Sequence, residues 1–507
     1  MQTDSGHQAR FELLKRSVDE KIVGPLQSHG WQVSVDPTYH AGEYIAVTAE
    51  RGGSVRKVAV LYSSGTGNPV YRQLAEQVDH IFFNGEPYQL ESYAYGISKP
   101  VGPLRDFHAA MLEWNRETAP GKLAPGIQAE DALEVEDDGV IRLLSENPGD
   151  AIWLRLKQLH SLSLARKRIE KRLRKAAVEL APEVVDAKAQ GVTFALRNAT
   201  DYYQSAGVTN ISQRVLNLYY GTLSFAIAEV MASPTGVASL GEVEASTKLG
   251  HGLYTYDGVG GGFHDLIIGG LASGFFSYWQ KAVGQALELP AQKPKKPEDL
   301  DKLPPDSFVT MEALFARIPE VSDLFVDIFD SPALWLMPTY DSEANQFGYI
   351  NEETTRTYTE LFDASGRMRA EDVAKFPGPI SEITPLPSHG GYRAFRAAVD
   401  HEGLPRSKWW DALNIHQSPF SKQAIIMPLF GRVAGYRAIC FVILYGLSII
   451  VRYRPSLWRR IQEGDLDSVR ALIEAFLTVV ERVLPEEFLE QITGQKVHAH
   501  QPGSFLS

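Results

Sequence analysis

His251, Arg452 and the pair Arg197-Asn198 are the side chains whose types and settings invite chemistry in this chain of 507 residues. Histidine titrates near neutrality and can pass a proton, while arginine offers a fork of donors to a carboxylate or phosphate. Were Arg197, His251 and Arg452 to converge on one pocket, they could act on RNA or a nucleotide, which makes them the candidate catalytic residues. Asn198 is a candidate for binding the same ligand. A second group is the run Ser63, Ser64, Gly65, Thr66, Gly67 and Asn68. Hydroxyls and backbone amides between a strand and a helix can cradle phosphate, so Ser63, Ser64, Thr66 and Asn68 are candidate ligand-binding residues. Pro69 removes one of those amides. Gly258-Val259-Gly260-Gly261-Gly262 lacks the third glycine of a dinucleotide fingerprint and reads as a flexible loop. His264 lies 13 residues beyond His251 without the companions of a zinc set, so no metal site is expected.

These residues must be positioned by elements the sequence partly reveals. Phe441–Val451 is an almost unbroken apolar run, and Pro455 forbids the helix to continue past Arg454. Arg452 then falls in the last turn, where a cation complements exposed carbonyls, and the Trp458 indole is expected to find a partner. Helices are expected at about 150–180, 193–206, 211–232 and 437–492, and strands within 333–364. Upstream, Phe11, Leu14, Val18 and Ile22 mark an amphipathic helix, followed by strands at 31–35, 43–50 and 55–62, a helix at 69–78 and a strand at 80–83. The order is helix, three strands, helix, strand. Residues 116–150 turn to Pro, Gly, Asp and Glu, with a small hairpin expected at 135–144.

The ordered set Arg197-Asn198-Ala199, Tyr203-Gln204-Ser205-Ala206, Leu218-Tyr219-Tyr220-Gly221, Lys248-Leu249-Gly250-His251-Gly252-Leu253, Ser448/Arg452/Tyr453/Pro455/Trp458 and Phe476–Phe488 resembles the YaaC-like family of bacterial proteins. The resemblance runs over residues 150 to 495. It implies a larger, mainly α-helical YaaC-like domain at 151–495, which joins the small N-terminal α/β domain at 1–115 and the linker with hairpin at 116–150 read from the residues, so the fold class expected is α+β multidomain. The family offers no established activity to carry over.

Three shorter likenesses bear on function. The N-terminal element order is that of the PD-(D/E)XK nuclease core, with Glu43 at the first acidic position; the third strand, Val58-Ala59-Val60-Leu61, lacks the acid and lysine that cleavage needs. The loop Ser63–Asn68 resembles the phosphate loop of flavodoxins. Arg396 and His401 have the spacing of HEPN ribonucleases, which place such a pair on one helix.

Composition sets the outer limits. Apolar residues make up 44% and charged residues 22%, which is ordinary for a globular chain that can build its own cores. The single Cys440 excludes a disulfide framework and suits a reducing cytoplasm. Ala438–Val451 and Leu266–Trp279 fall short of a membrane span and read as core helices, so no membrane partner is expected. A charge of −12 argues against a chain-wide nucleic-acid surface. It leaves room for a nucleotide or RNA at a local basic patch such as Arg166–Lys175. The expected function is a non-catalytic binding or sensor protein, plausible in bacterial stress or antiviral defence, with a protein partner or a second copy. Against it stand a HEPN-like RNA- or nucleotide-acting enzyme and a flavin or nucleotide binder at Ser63–Asn68; no cofactor is assigned.

Overall fold

The computed structural model describes residues 4–36, 44–62, 67–85, 94–118, 140–258, 260–342, 344–345, 355–387, 392–420, 423–433 and 435–501. Ser63, Ser64, Thr66 and Glu43 lie outside them. The chain divides into two compact units, Met1–Val135 and Glu136–Ser507. The helix Phe107–Thr118 runs across position 115, where the first domain was expected to stop.

In the first unit β1 (Gln32–Asp36), β2 (Tyr44–Arg51) and β3 (Ser54–Tyr62) form an antiparallel meander, and β4 (His80–Asn84) and β5 (Val101–Pro103) continue the sheet in parallel, in the order β1-β2-β3-β4-β5. The central stretch Val58–Leu61 is buried at every position because both faces of the sheet are covered. On one face Leu14, Val18, Ile22 and Leu26, one per helical turn, join Phe107, Met111 and Trp114 over Val58, Val60 and Phe82. On the other, Tyr71 and Leu74 of the helix Asn68–Ala75 cover Ala59, Leu61, Ile81 and Phe83.

The second unit combines a helical layer with three sheets among the described residues. The helices Pro182–Ala206 and Ile211–Ala232 pack side by side, and at Gly221 a Cβ would come within 2.6 Å of the Tyr203 ring, so only glycine permits this approach. The apolar helix Tyr436–Tyr453 ends where Pro455 begins the next helix, Pro455–Glu463, and the closing helix Asp467–Thr493 follows. Ile211–Ala232 and Tyr436–Tyr453 are long and apolar enough to cross a membrane, and 72% of each window is buried inside the protein.

Several expectations are corrected here. The single helix at 150–180 is two, Pro148–Gln158 and Leu162–Lys175, because the turn at His160-Ser161 breaks the ladder. Val140–Leu144 (β6), the described half of the expected hairpin, pairs in parallel with the last strand, Lys496–His500 (β16). Leu266–Trp279 is not one helix: β8 (Ile267–Gly270) lies between β7 (Leu253–Tyr256) and β9 (Phe308–Thr310), and a helix begins only at Phe275. The strand-bearing region is also larger than expected. β10 (Trp335–Tyr340), β11 (Arg356–Asp363), β12 (Ile380–Pro385), β13 (Arg393–Asp400), β14 (Ile415–Gln417) and β15 (Gln423–Ile426) form an antiparallel sheet ordered β12-β13-β11-β10-β15-β14. Arg396 therefore sits on a strand and His401 just after it, not on one helix as a HEPN pair requires. Phe395, Ala397 and Val399, spaced two apart, join one hydrophobic core while the intervening Ala398 is buried outside it, as a strand requires. Arg396 Nε donates to Asp341 at 2.5 Å, and His401 Nε2 meets the Thr357 hydroxyl at 2.9 Å.

Candidate functional site

The His-Gly turn is fixed by the start of the Phe275–Ala282 helix. The Phe275 and Phe276 amides donate to the carbonyls of Gly250 and His251 at 3.0 and 2.9 Å, so helix-end donors are satisfied by the turn itself. Gly274, at φ 102°, comes so close to Gly252 that a Cβ would stand 2.4 Å from the Gly252 nitrogen. This packing aims His251 at the Tyr219 face of the neighbouring helix, where Tyr219 Oη and His251 Nδ1 share a hydrogen bond of 2.8 Å. Tyr445 lies against both rings and donates its hydroxyl to the Leu253 carbonyl at 3.0 Å.

Arg452 completes the group. It is held by its own helix one turn back: Nε donates to the Ser448 carbonyl and Nη2 to the Ser448 hydroxyl, both at 3.1 Å. Nη1 reaches Tyr220 Oη at 3.4 Å, and the guanidinium lies 5.1 Å from the Tyr453 ring centroid. The Ser-x-x-x-Arg-Tyr spacing is thus an i, i+4 hydrogen-bonded pair followed by a ring under the cation. Trp458 donates its indole N–H to Ser212 at 2.9 Å, so the expected partner exists. Arg454 pairs with Asp257 and ties the end of the helix to the residue just after β7.

The electrostatics follow from burial. His251 titrates below its ordinary value because it is buried and, secondarily, because Arg452 is near, so it is neutral at pH 7. Burial raises Tyr219, and pushes Tyr445 up to about 12, so both phenols stay protonated. Arg452 is half-buried and has no carboxylate partner among the described residues. Tyr202 stacks on Tyr220 with ring centroids 5.8 Å apart, and it and Tyr453 keep 37% and 67% of their surface exposed. The arrangement offers an anion a fixed guanidinium and offers a planar ring two accessible aromatic faces.

Of the residues singled out in the sequence, His251 and Arg452 come together here. Arg197 is engaged elsewhere: its Nη2 donates to the His160 carbonyl at 2.7 Å, bridging the corner between two helices. Asn198 is half-buried on the same helix as Arg197. Asn68 opens the Asn68–Ala75 helix and donates to the Tyr95 carbonyl at 3.1 Å. His264 is exposed. The loop read as flexible is organised about one carboxylate, since Asp265 accepts from the amides of Gly260 and Gly262 at 2.5 and 2.8 Å. Among the described residues no group of histidine, cysteine and carboxylate side chains could hold a metal ion.

Sequence reasoning missed a buried charged network. His416 lies between Glu320 and Glu487, with contacts of 3.0 and 3.2 Å, and stacks on Tyr436, whose hydroxyl donates to Glu320 at 2.8 Å. Arg437 binds Glu229 through Nε at 3.0 Å and Nη2 at 2.5 Å, and Glu229 also accepts the Trp279 indole N–H at 2.9 Å. Burial alone would lower His416, but the two glutamates overcome it and hold the imidazole up at about 9. Its partners lie far apart in sequence, and only the charge of Glu229 inside an apolar helix could have drawn attention.

Fold and site together define a two-unit α+β protein whose larger unit carries a half-buried arginine–histidine–tyrosine cluster. A family model described as YaaC-like Protein matches residues 157–492, well over half of the chain. The chain belongs to the YaaC-like family. No curated protein and no solved structure matches it.

Proposed function

We propose that this is a non-catalytic binding or sensor protein that recognises a nucleotide, or the end of an RNA, at the cluster of His251, Arg452, Tyr220 and Tyr202. The observation that carries this reading is Arg452: a half-buried guanidinium whose donors meet only neutral oxygens of Ser448 and Tyr220. Such a cation gains most from a phosphate that completes its fork. Exposed Tyr202 and Tyr453 supply stacking faces for a base. A cytoplasmic setting, with the α/β unit a non-cleaving relative of the nuclease core, fits a sensor in bacterial stress or antiviral defence. The element order of that unit and the lack of any acidic side chain on β3, which carries Lys57 but no carboxylate before it, support this part of the reading.

A second reading, an enzyme acting on RNA or nucleotides, is favoured by one observation. His251 is neutral, and in the tautomer whose Nδ1–H donates to Tyr219 its Nε2 accepts a proton beside Arg452. Thermal melting against a panel of nucleotides, with chromatography of the same mixtures after incubation, separates the two. A sensor gives a raised melting temperature and an unchanged nucleotide. Product that disappears in His251→Ala would establish the enzyme, and a panel with no shift and no product would reject both.

A further inference from the structure

The corner between the Pro148–Gln158 and Leu162–Lys175 helices holds a cavity of about 230 Å³, closed behind by the last turns of the closing helix at Leu489 and Thr493. Leu159 and Leu489 are buried and form its floor, while Leu164 is 44% exposed at its mouth. Arg155, Lys167, Arg168 and Lys171 line the rest together with Gln158, and no acidic side chain lines it among the described residues. Lys167, Arg168 and Lys171 share one helix face, and the exposed Arg174 and Lys175 continue it a turn further on. That helix is pinned from behind, where Arg172 donates to the Ile492 carbonyl at 3.0 Å and Arg168 to Gln495, so the cations stand on a fixed support. Leu154 and Leu162 add exposed apolar surface on the adjoining turns, at 64% and 45%.

An apolar floor inside a ring of cations is a specific combination. Sequence-tolerant nucleic-acid sites join cations to aromatic platforms, and no aromatic side chain lines this cavity. An inorganic anion would have no use for the leucines. We infer that this corner is a docking site for an acidic segment of a partner protein, which places one aliphatic side chain on Leu159 and Leu489 and its carboxylates against Arg155, Lys167 and Lys171. The apolar anchor supplies affinity and the charge ring supplies orientation and association rate. The site is separate from the Arg452 cluster and does not depend on what that cluster binds.

The test is fluorescence anisotropy with the full chain and a labelled peptide that alternates glutamate with leucine. Comparison probes are the same peptide with serine for leucine, an oligouridylate, and phosphatidylglycerol vesicles. Lys167→Glu combined with Lys171→Glu, and separately Leu164→Ser, alter exposed positions, and an unchanged melting temperature verifies their fold. The Glu-Leu peptide is expected to bind best, to weaken as salt rises, to lose roughly tenfold or more in the double reversal, and to lose affinity in Leu164→Ser. Arg452→Ala is expected to leave it unchanged. Equal binding of the serine peptide, tighter binding of oligouridylate or vesicles, indifference to the double reversal, or no peptide binding would each overturn the inference.

Discussion

Arg452 and His416 are both cations held by neighbours, yet they sit in opposite electrostatic settings. Arg452 has neutral oxygens around it, so removing it strands no buried carboxylate; we expect Arg452→Ala to change stability by about 1 kcal/mol or less while abolishing nucleotide binding, and Arg452→Lys to restore little because a lysine cannot form the fork. Thermal melting with and without nucleotide checks both. His416 stands between the buried carboxylate of Glu320 and the part-buried one of Glu487, and its removal leaves Glu320 uncompensated, at a cost of about 3 kcal/mol measurable by denaturant unfolding of His416→Ala. Its pH signature has a defined sign. The folded value of about 9 lies above the unfolded 6.5, so its contribution is full below 6.5 and is lost as pH rises through 9. Glu320 and Glu487 sit below their ordinary 4.5, because contacts with His416 outweigh the raising effect of burial, so their share is lost only in acid. The wild-type melting temperature should therefore fall between pH 7 and 9, with Tyr436, Ser418 and Arg437 facing the pair throughout. A His416→Gln variant that kept the same alkaline slope would contradict this. Arg452 was legible in the sequence because Ser448, Arg452 and Pro455 lie within eight positions. Glu229 and Arg437 are 208 positions apart, and nothing local signals that they meet.

At the scale of elements, the signals that succeeded were local ones. Pro455 stopped the apolar helix, and the helical spacing of Leu14, Val18 and Ile22 announced the first helix. The break between Pro148–Gln158 and Leu162–Lys175 was hidden because polar residues in a turn and on a solvated helix face look alike. The sheet β10–β15 was only partly legible, since its strand β13, next to the edge strand β12, reads Arg-Ala-Phe-Arg-Ala-Ala-Val-Asp, where alanines blur the alternation. The contact between the His-Gly turn and the Phe275–Ala282 helix gives a prediction at this scale. Gly274→Ala places a Cβ at φ 102° and against Gly252, which should cost about 1–3 kcal/mol or more and, by displacing the His251 backbone, weaken nucleotide binding. Unfolding midpoints and nucleotide affinity of the same variant test the two halves. Trp458→Phe keeps the ring but loses the bond to Ser212, and about 1 kcal/mol is expected from it.

For the whole molecule, the two units each have a core of their own, so a fragment spanning Glu136–Ser507 is expected to fold alone and to bind nucleotide as the full chain does. The small α/β unit was legible as an order of elements, whereas its relation to any nuclease was not, because β3 carries Lys57 but no acidic side chain. The family and the place of His251 and Arg452 in it could be read from short ordered motifs; that the two side chains meet required the packed helices. The most direct measurement of the central claim is calorimetric titration of a nucleoside phosphate into the wild-type protein and into Arg452→Ala. Saturable binding by the wild type, weakened by salt and lost in the variant, is the predicted result. Equal binding by the two proteins, or binding by neither across a panel of nucleotides, would contradict it.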